Sequence, residues 1–205
     1  MLVLEQYGVK LVRLQKEQIE LVRYWRNQSD IVNYMEYKNY ITSNNQCKWF
    51  DSINNCSNYY FVIEFENKKV GLINAKNFDP NSGFGEGGIF IWDKNYINSF
   101  VAVFSTLCLL NFVFLKLNNC KKSVARILKS NTSAINFNKS IGYRLLPNQD
   151  DVENQLYELT LEDYLLFGKK INEKACLVAK NNSNLIYSGL VCEQNMDEIN
   201  FLLKN

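Results

Sequence analysis

No histidine occurs among the 205 residues. This removes the commonest general base and the commonest zinc ligand, so catalysis must use carboxylate, tyrosine, serine, cysteine, backbone or water. A charge excess is also missing. Lys+Arg is 23 and Asp+Glu is 21, a formal net charge of +2. A nucleic-acid partner, which calls for a clustered basic surface, is not expected. The six cysteines form no CxxC pair, so no metal site is expected. A cysteine nucleophile would have no histidine to activate it. No secretory leader is read at the start, because Met1 to Tyr7 already carries Glu5. The expected compartment is a reducing cytoplasm, with most thiols acting as small hydrophobes.

What is present reads as an α/β pattern. Val9 to Leu14 alternates as a strand, and Gln15 to Asn27 has apolar residues on one helical face. Short helices are expected over Asp30 to Tyr34 and Asn44 to Ile53. Tyr59 to Phe65 and Lys69 to Phe78 form a hairpin around Glu66-Asn67-Lys68. Glu86 to Trp92 is a strand in which Gly87 and Gly88 signal a bulge or a close backbone approach. Asn98 to Leu117 has the length of a membrane span, but Ser105, Thr106 and Asn111 interrupt it, and no span is read. It reads as one long buried helix between strands.

Lys121 to Leu128 is the next strand. Asn131 and Thr132 then open a short helix, and Gly142 follows it where left-handed geometry suits glycine. Strands are expected from Tyr143 to Leu146 and from Gln155, then a short helix over Glu162 to Lys169. The tail reads as strands at Ala175 to Ala179 and Leu185 to Val191 and a helix at Met196 to Leu203. A mixed sheet with helices on both faces satisfies this order. A domain over 1–170 with an extension over 171–205 is expected. The added strands offer an interface, and a homodimer is one assembly this allows.

The stretch from Asn131 and Ala134 to Gly142-Tyr143 resembles the second half of the acetyl-CoA site of GNAT N-acetyltransferases. The resemblance covers about residues 9 to 165. It implies the GNAT fold, an α/β (α+β) mixed central sheet with a splayed pair of strands. It implies acetyl-CoA as co-substrate and no metal. The backbone of Phe90, Ile91 and Trp92 would meet the pantetheine arm and polarise the thioester carbonyl. Asn98 and Ser99 would open the long helix beside the pyrophosphate. The glycines usual in that loop are absent here, and Ile97 resists close phosphate approach. Asn131 and Ala134 would contact pantetheine. Asn138 stands where many relatives carry a tyrosine acid, so either another group serves, with Tyr143 as the named candidate and Ser140 also near in sequence, or the thiolate leaves unaided. Glu86 is the first candidate base, with Glu64 and Asp79 behind it.

Trp25-Arg26-Asn27, Tyr34-Met35 and Trp49-Phe50 resemble a narrower subgroup. It holds the nucleotide-amino-sugar acetyltransferases of pseudaminic-acid-type pathways and lies close to the ribosomal-protein N-terminal acetyltransferases. Arg26 can pair a phosphate, and Tyr34, Tyr37 and Trp49 can stack on a base or sugar, with Asn27 beside them. Trp25 and Trp49 serve equally as core residues in the plainer reading. The expected activity is acetyl transfer from acetyl-CoA to a primary amine of a nucleotide-linked amino sugar. The alternatives are a protein N-terminal or lysine acetyltransferase, or a silent GNAT module.

Overall fold

The computed structural model describes residues 1–97, 99–117, 120–179 and 183–189. Nine strands form one sheet in the order β7-β8-β6-β5-β4-β3-β2-β1-β9. They are β1 (Val3–Gln6), β2 (Val9–Arg13), β3 (Tyr59–Phe65), β4 (Lys68–Asp79), β5 (Phe84–Ile91), β6 (Lys122–Leu128), β7 (Arg144–Leu145), β8 (Asn154–Thr160) and β9 (Ile186–Ser188). Every pairing is antiparallel except β5 with β6. Two tight turns hold the first hairpins. Tyr7-Gly8 joins β1 to β2, and Glu66-Asn67 joins β3 to β4, all four residues with positive φ. Paired positive φ values match the twist of flanking strands.

Helices cover both faces. On one face lie α1 (Ile19–Arg26), α2 (Ser29–Val32) and α3 (Ser43–Ile53). Their Ile19, Val22, Ile31 and Phe50 pack on Tyr60, Val62, Leu72 and Trp92 of the sheet side. The other face holds the larger core, around α4 (Phe100–Leu110). Thr42 and Ser99 cap α3 and α4 through their hydroxyls. After α4 come α5 (Thr132–Ser140), α6 (Leu161–Asp163) and α7 (Lys169–Ala179). Gly142 has φ +110, as its position after α5 requires.

Several expectations change. The long helix is α-helical only to Leu110 and continues as a wider π-helical turn over Asn111–Lys116. The change of pitch falls at Asn111, whose side chain is drawn into a buried network. Its Nδ2 donates to Gln6 Oε1 at 3.0 Å and Asn172 Oδ1 at 2.8 Å, and its Oδ1 accepts from Tyr164 Oη at 2.7 Å. Tyr7 Oη also donates to Asn172 Oδ1 at 2.6 Å. Ala175 to Ala179, expected as a strand, is the end of helix α7. A short apolar run does not separate the two periods, and here Asn172 and Ala175, three apart, share the buried face. The second tail strand is β9, which pairs with β1 at the sheet edge. The expected helix over Met196 to Leu203 lies outside the described residues. β1 was not foreseen.

Gly87 and Gly88 do not bulge. The β4–β5 register runs unbroken from Lys76↔Glu86 to Gly71↔Ile91. Gly88 marks close approach instead, since a Cβ there would sit 3.0 Å from Asn74 Oδ1, whereas one on Gly87 would make only ordinary contacts. Cys47, Cys108, Cys120 and Cys176 are free thiols, whereas Cys56 is disulfide-bonded. Among the described residues, no helix is long and apolar enough to cross a membrane.

Candidate active site

The site forms where β5 and β6 part. The parallel pairing runs from Phe84↔Lys122 to Gly87↔Ala125 and ends there. Both strands continue, β5 to Ile91 and β6 to Leu128. A wedge-shaped gap opens between Gly88–Ile91 and 126–128. The Trp92 amide donates to the Val70 carbonyl at 2.9 Å. Peptide direction alternates along an antiparallel ladder, so Phe90 also turns its peptide groups toward β4. Ile89 and Ile91 turn theirs toward the gap. Of the three residues expected to offer backbone there, Ile91 faces the gap, while Phe90 and Trp92 are committed to β4. Ile89 joins the set, and strand alternation alone could have named it.

The sheet face under α1–α3 carries the chemistry. Tyr60, Asn74 and Gly88 stand in one row across β3, β4 and β5. Lys76 and Glu86 form the next row on one side, and Leu72 and Phe90 the row on the other. A Cβ on Gly88 would sit 3.0 Å from Asn74 Oδ1. Glycine there lets the Asn74 carboxamide lie across the β5 backbone. Asn74 Nδ2 is buried without a hydrogen-bond partner.

Glu86 is sheltered, with a side chain only 13% exposed. Its Oε1 meets Lys76 Nζ at 3.0 Å and Arg126 Nε at 3.6 Å. Arg26, from the last turn of α1, sets its guanidinium 5.8 Å over the Phe90 ring. Burial lowers its pKa, and the Tyr60 phenol pulls in the opposite direction. Arg26 Nη1 is buried and unpartnered. Tyr60 is edge-on to Trp49 at 5.2 Å. Burial, and then the Glu86 charge, push the Tyr60 phenol up to about 12, with Trp49 and Arg26 acting against them. One hydroxyl thus feels both Glu86 and Arg26.

The remaining candidates fall elsewhere. Asn27 holds the Ile41 backbone at both ends, at 2.9 and 2.8 Å, and so pins the loop before α3. Tyr34 and Tyr37 are 63% and 50% exposed on that loop. Trp25 stacks on Trp92 at 6.2 Å, as its core alternative requires. Glu64 faces Lys10 across β2–β3, two strands from β5, and Asp79 caps its own turn through Asn81 and Ser82.

On the opposite face, Tyr143 is buried and its hydroxyl pairs with Ser123 Oγ at 2.8 Å, beneath Gly87. Burial pushes its phenol up to about 12. Asn131 Oδ1 accepts from the Ala134 amide at 3.1 Å and caps α5, and Asn138 Nδ2 donates to the Ala134 carbonyl at 2.8 Å. At α4, Ser99 Oγ donates to the Tyr96 carbonyl and accepts from Val101. The Ser99 amide also goes to Tyr96. Asn98 lies outside the described residues. No described residue from 93 to 99 has positive φ, so the described part of the loop holds no glycine-type nest. Lys94 pairs with Asp30 at 2.5 Å.

Comparison with known proteins bears on the fold and the family. No curated protein matches the sequence. Among solved structures, an apo nucleotide-linked sugar GNAT, FdhC, superposes with a TM-score of 0.69 at 20% identity, covering 84% of this chain and 97% of its own. The spermidine N-acetyltransferase of Vibrio cholerae, in complex with CoA and spermine, gives 0.64 at 16%, covering 77% and 98%. RimL, a ribosomal L7/L12 alpha-N-protein acetyltransferase in complex with coenzyme A, gives 0.65 at 11%, covering 76% and 96%. The family model for the acetyltransferase (GNAT) domain matches residues 9–144. The chain therefore belongs to the GNAT acetyltransferase family, whose co-substrate is acetyl-CoA.

Proposed function

We propose that this protein acetylates a primary amine on a nucleotide-linked amino sugar. The observation that carries the reading is the sheltered Glu86 carboxylate, ion-paired with Lys76 and Arg126 and sharing its sheet face with Tyr60 and Asn74 where β5 leaves β6. The structural likeness to a nucleotide-linked sugar GNAT supports it.

Acetyl-CoA supplies the acyl group as a thioester. The gap fits its amide-bearing arm, because Ile89 and Ile91 present peptide groups to it with no strand opposite. The helix start at Ser99 fits the pyrophosphate less well, since its amide and hydroxyl already serve the cap. Glu86 takes a proton from the incoming ammonium, directly or through water. The freed amine attacks the thioester carbonyl from the α1–α3 side. An amide of Ile89 or Ile91 stabilises the oxyanion as it forms. The tyrosine expected as acid, Tyr143, stays protonated in the core and holds Ser123. A thiol pKa near 8.5 makes the departing thiolate tolerable without an acid.

The test is CoA release from acetyl-CoA with UDP- and dTDP-linked amino sugars. Turnover is expected with one of them. Acetyl-CoA binding without turnover of any sugar nucleotide sinks the substrate assignment. Failure to bind acetyl-CoA or CoA by calorimetry sinks the transferase reading, and the silent module takes its place.

A further inference from the structure

Four buried side-chain atoms among the described residues lack a hydrogen-bond partner: Arg13 Nη1, Arg26 Nη1, Asn74 Nδ2 and Ser105 Oγ. Two of the four lie on the sheet face around Gly88: Asn74 Nδ2 belongs to the residue paired with Gly88, and Arg26 Nη1 to the guanidinium over Phe90, one row away. Both are pure donors. A buried donor with no acceptor carries an uncompensated desolvation cost, and native proteins hold few of them. A ligand oxygen would settle both at once.

We propose that Asn74 and Arg26 form an oxygen-reading subsite of the acceptor pocket. They hold a hydroxyl or carbonyl oxygen within a few bonds of the amine that Glu86 deprotonates. The acceptor is then an amino alcohol, as an amino sugar is, and not a plain alkylamine or polyamine. This rests on the acetyl-transfer reading above and adds a selection rule to it.

The spacing supports the rule. Glu86 and Gly88 are two residues apart on one strand and face the same side, roughly 7 Å along it. That is about the reach of one substituted ring. Gly88 supplies the floor, since a Cβ there would press on the Asn74 carboxamide. Phe90 supplies an apolar wall beneath the Arg26 guanidinium. Among the described residues Arg26 has no carboxylate partner that would explain its position.

The test compares two amines that differ by one oxygen, 2-aminocyclohexanol and cyclohexylamine, by CoA release from acetyl-CoA. The wild type should prefer the amino alcohol in kcat/KM by about 10-fold or more. In Asn74→Ala the preference should collapse toward unity. Gly88→Ala, which displaces the carboxamide without removing it, should weaken the preference as well. The melting temperature of Asn74→Ala should equal or exceed that of the wild type, because the lost donor had no partner. A merely structural asparagine would do the reverse, lowering stability and sparing the preference. Equal turnover of both amines, turnover of neither, or a preference that survives in Asn74→Ala overturns the proposal. Turnover of the amino alcohol with no turnover of any sugar nucleotide overturns only the proposed function.

Discussion

Two asparagines, Asn111 and Asn74, sit on opposite faces of the same sheet and are used in opposite ways. Asn111 bonds to Gln6, Asn172 and Tyr164, and the network closes on itself when Asn172 Nδ2 donates to Tyr164 Oη. Asn74 Nδ2 has no partner. The first asparagine ties β1, the turn after α4, and α7 into one body. The second lies over a glycine, next to a carboxylate and a guanidinium. A satisfied buried network builds the fold, whereas an unsatisfied one costs stability and is kept where something must bind.

Breaking the satisfied side should have the largest effect on stability. Asn111→Ala strands Tyr164, Asn172 and Gln6 together, and should cost about 3 kcal/mol or more of unfolding free energy by denaturant titration. A loss below about 1 kcal/mol would mean that water replaces the amide and that the two asparagines differ less than their contacts say.

On the open side, the largest effect should fall on rate. Glu86→Gln should lower kcat/KM by about 100-fold or more, with acetyl-CoA affinity by calorimetry nearly unchanged. Equal activity would move the base role to water or to another group.

A smaller effect tests the two tyrosines held near 12. The folded pKa of Tyr60 is raised above the unfolded value of about 10. Its contribution to stability is therefore complete below pH 10 and is lost as pH climbs toward 12. While the unfolded chain alone ionises, each such tyrosine steepens the fall by about 1.4 kcal/mol per pH unit. Tyr60→Phe should flatten the alkaline limb, and Tyr143, also raised to about 12, should keep part of it. Between pH 6 and 9 neither tyrosine should move the stability curve. An unaltered alkaline limb in Tyr60→Phe would show that the phenol is wetter than its 8% exposure implies.

Much of the strand order was legible because alternation and turn chemistry are local. Tyr59–Phe65 and its returning partner were readable from β-branched and aromatic runs around Glu66-Asn67. β1 was not, since Val3–Gln6 is four residues long and gains its meaning only from pairing with β2 and β9. α7 differs from the expected strand because Ile171, Ala175, Cys176 and Ala179 reach the core at helical spacing, which a five-residue window over Ala175 to Ala179 does not show. In the site, Glu86, Arg26 and Trp49 were named from the sequence and lie together. Tyr34 and Tyr37 were named from the same pattern and stand in solvent. A stacking residue and a loop tyrosine have identical letters, and only the path of the loop after α2 separates them.

The sequence by itself determined the family, the β5–β6 order that creates the gap, and the acid placed at its mouth. The strand order follows from local periodicity and from short-range caps such as Asn131 on α5, and the family from the resemblance at Asn131, Ala134 and Gly142-Tyr143. The tertiary structure decided which amides face the gap, because peptide direction depends on register with β4. It also decided that Tyr60 and Asn74 belong to the pocket. They come from β3 and β4, fourteen residues apart in the chain, and a cross-strand row brings them beside Gly88. A donor is orphaned only with respect to its neighbours in space, and no sequence window contains those neighbours.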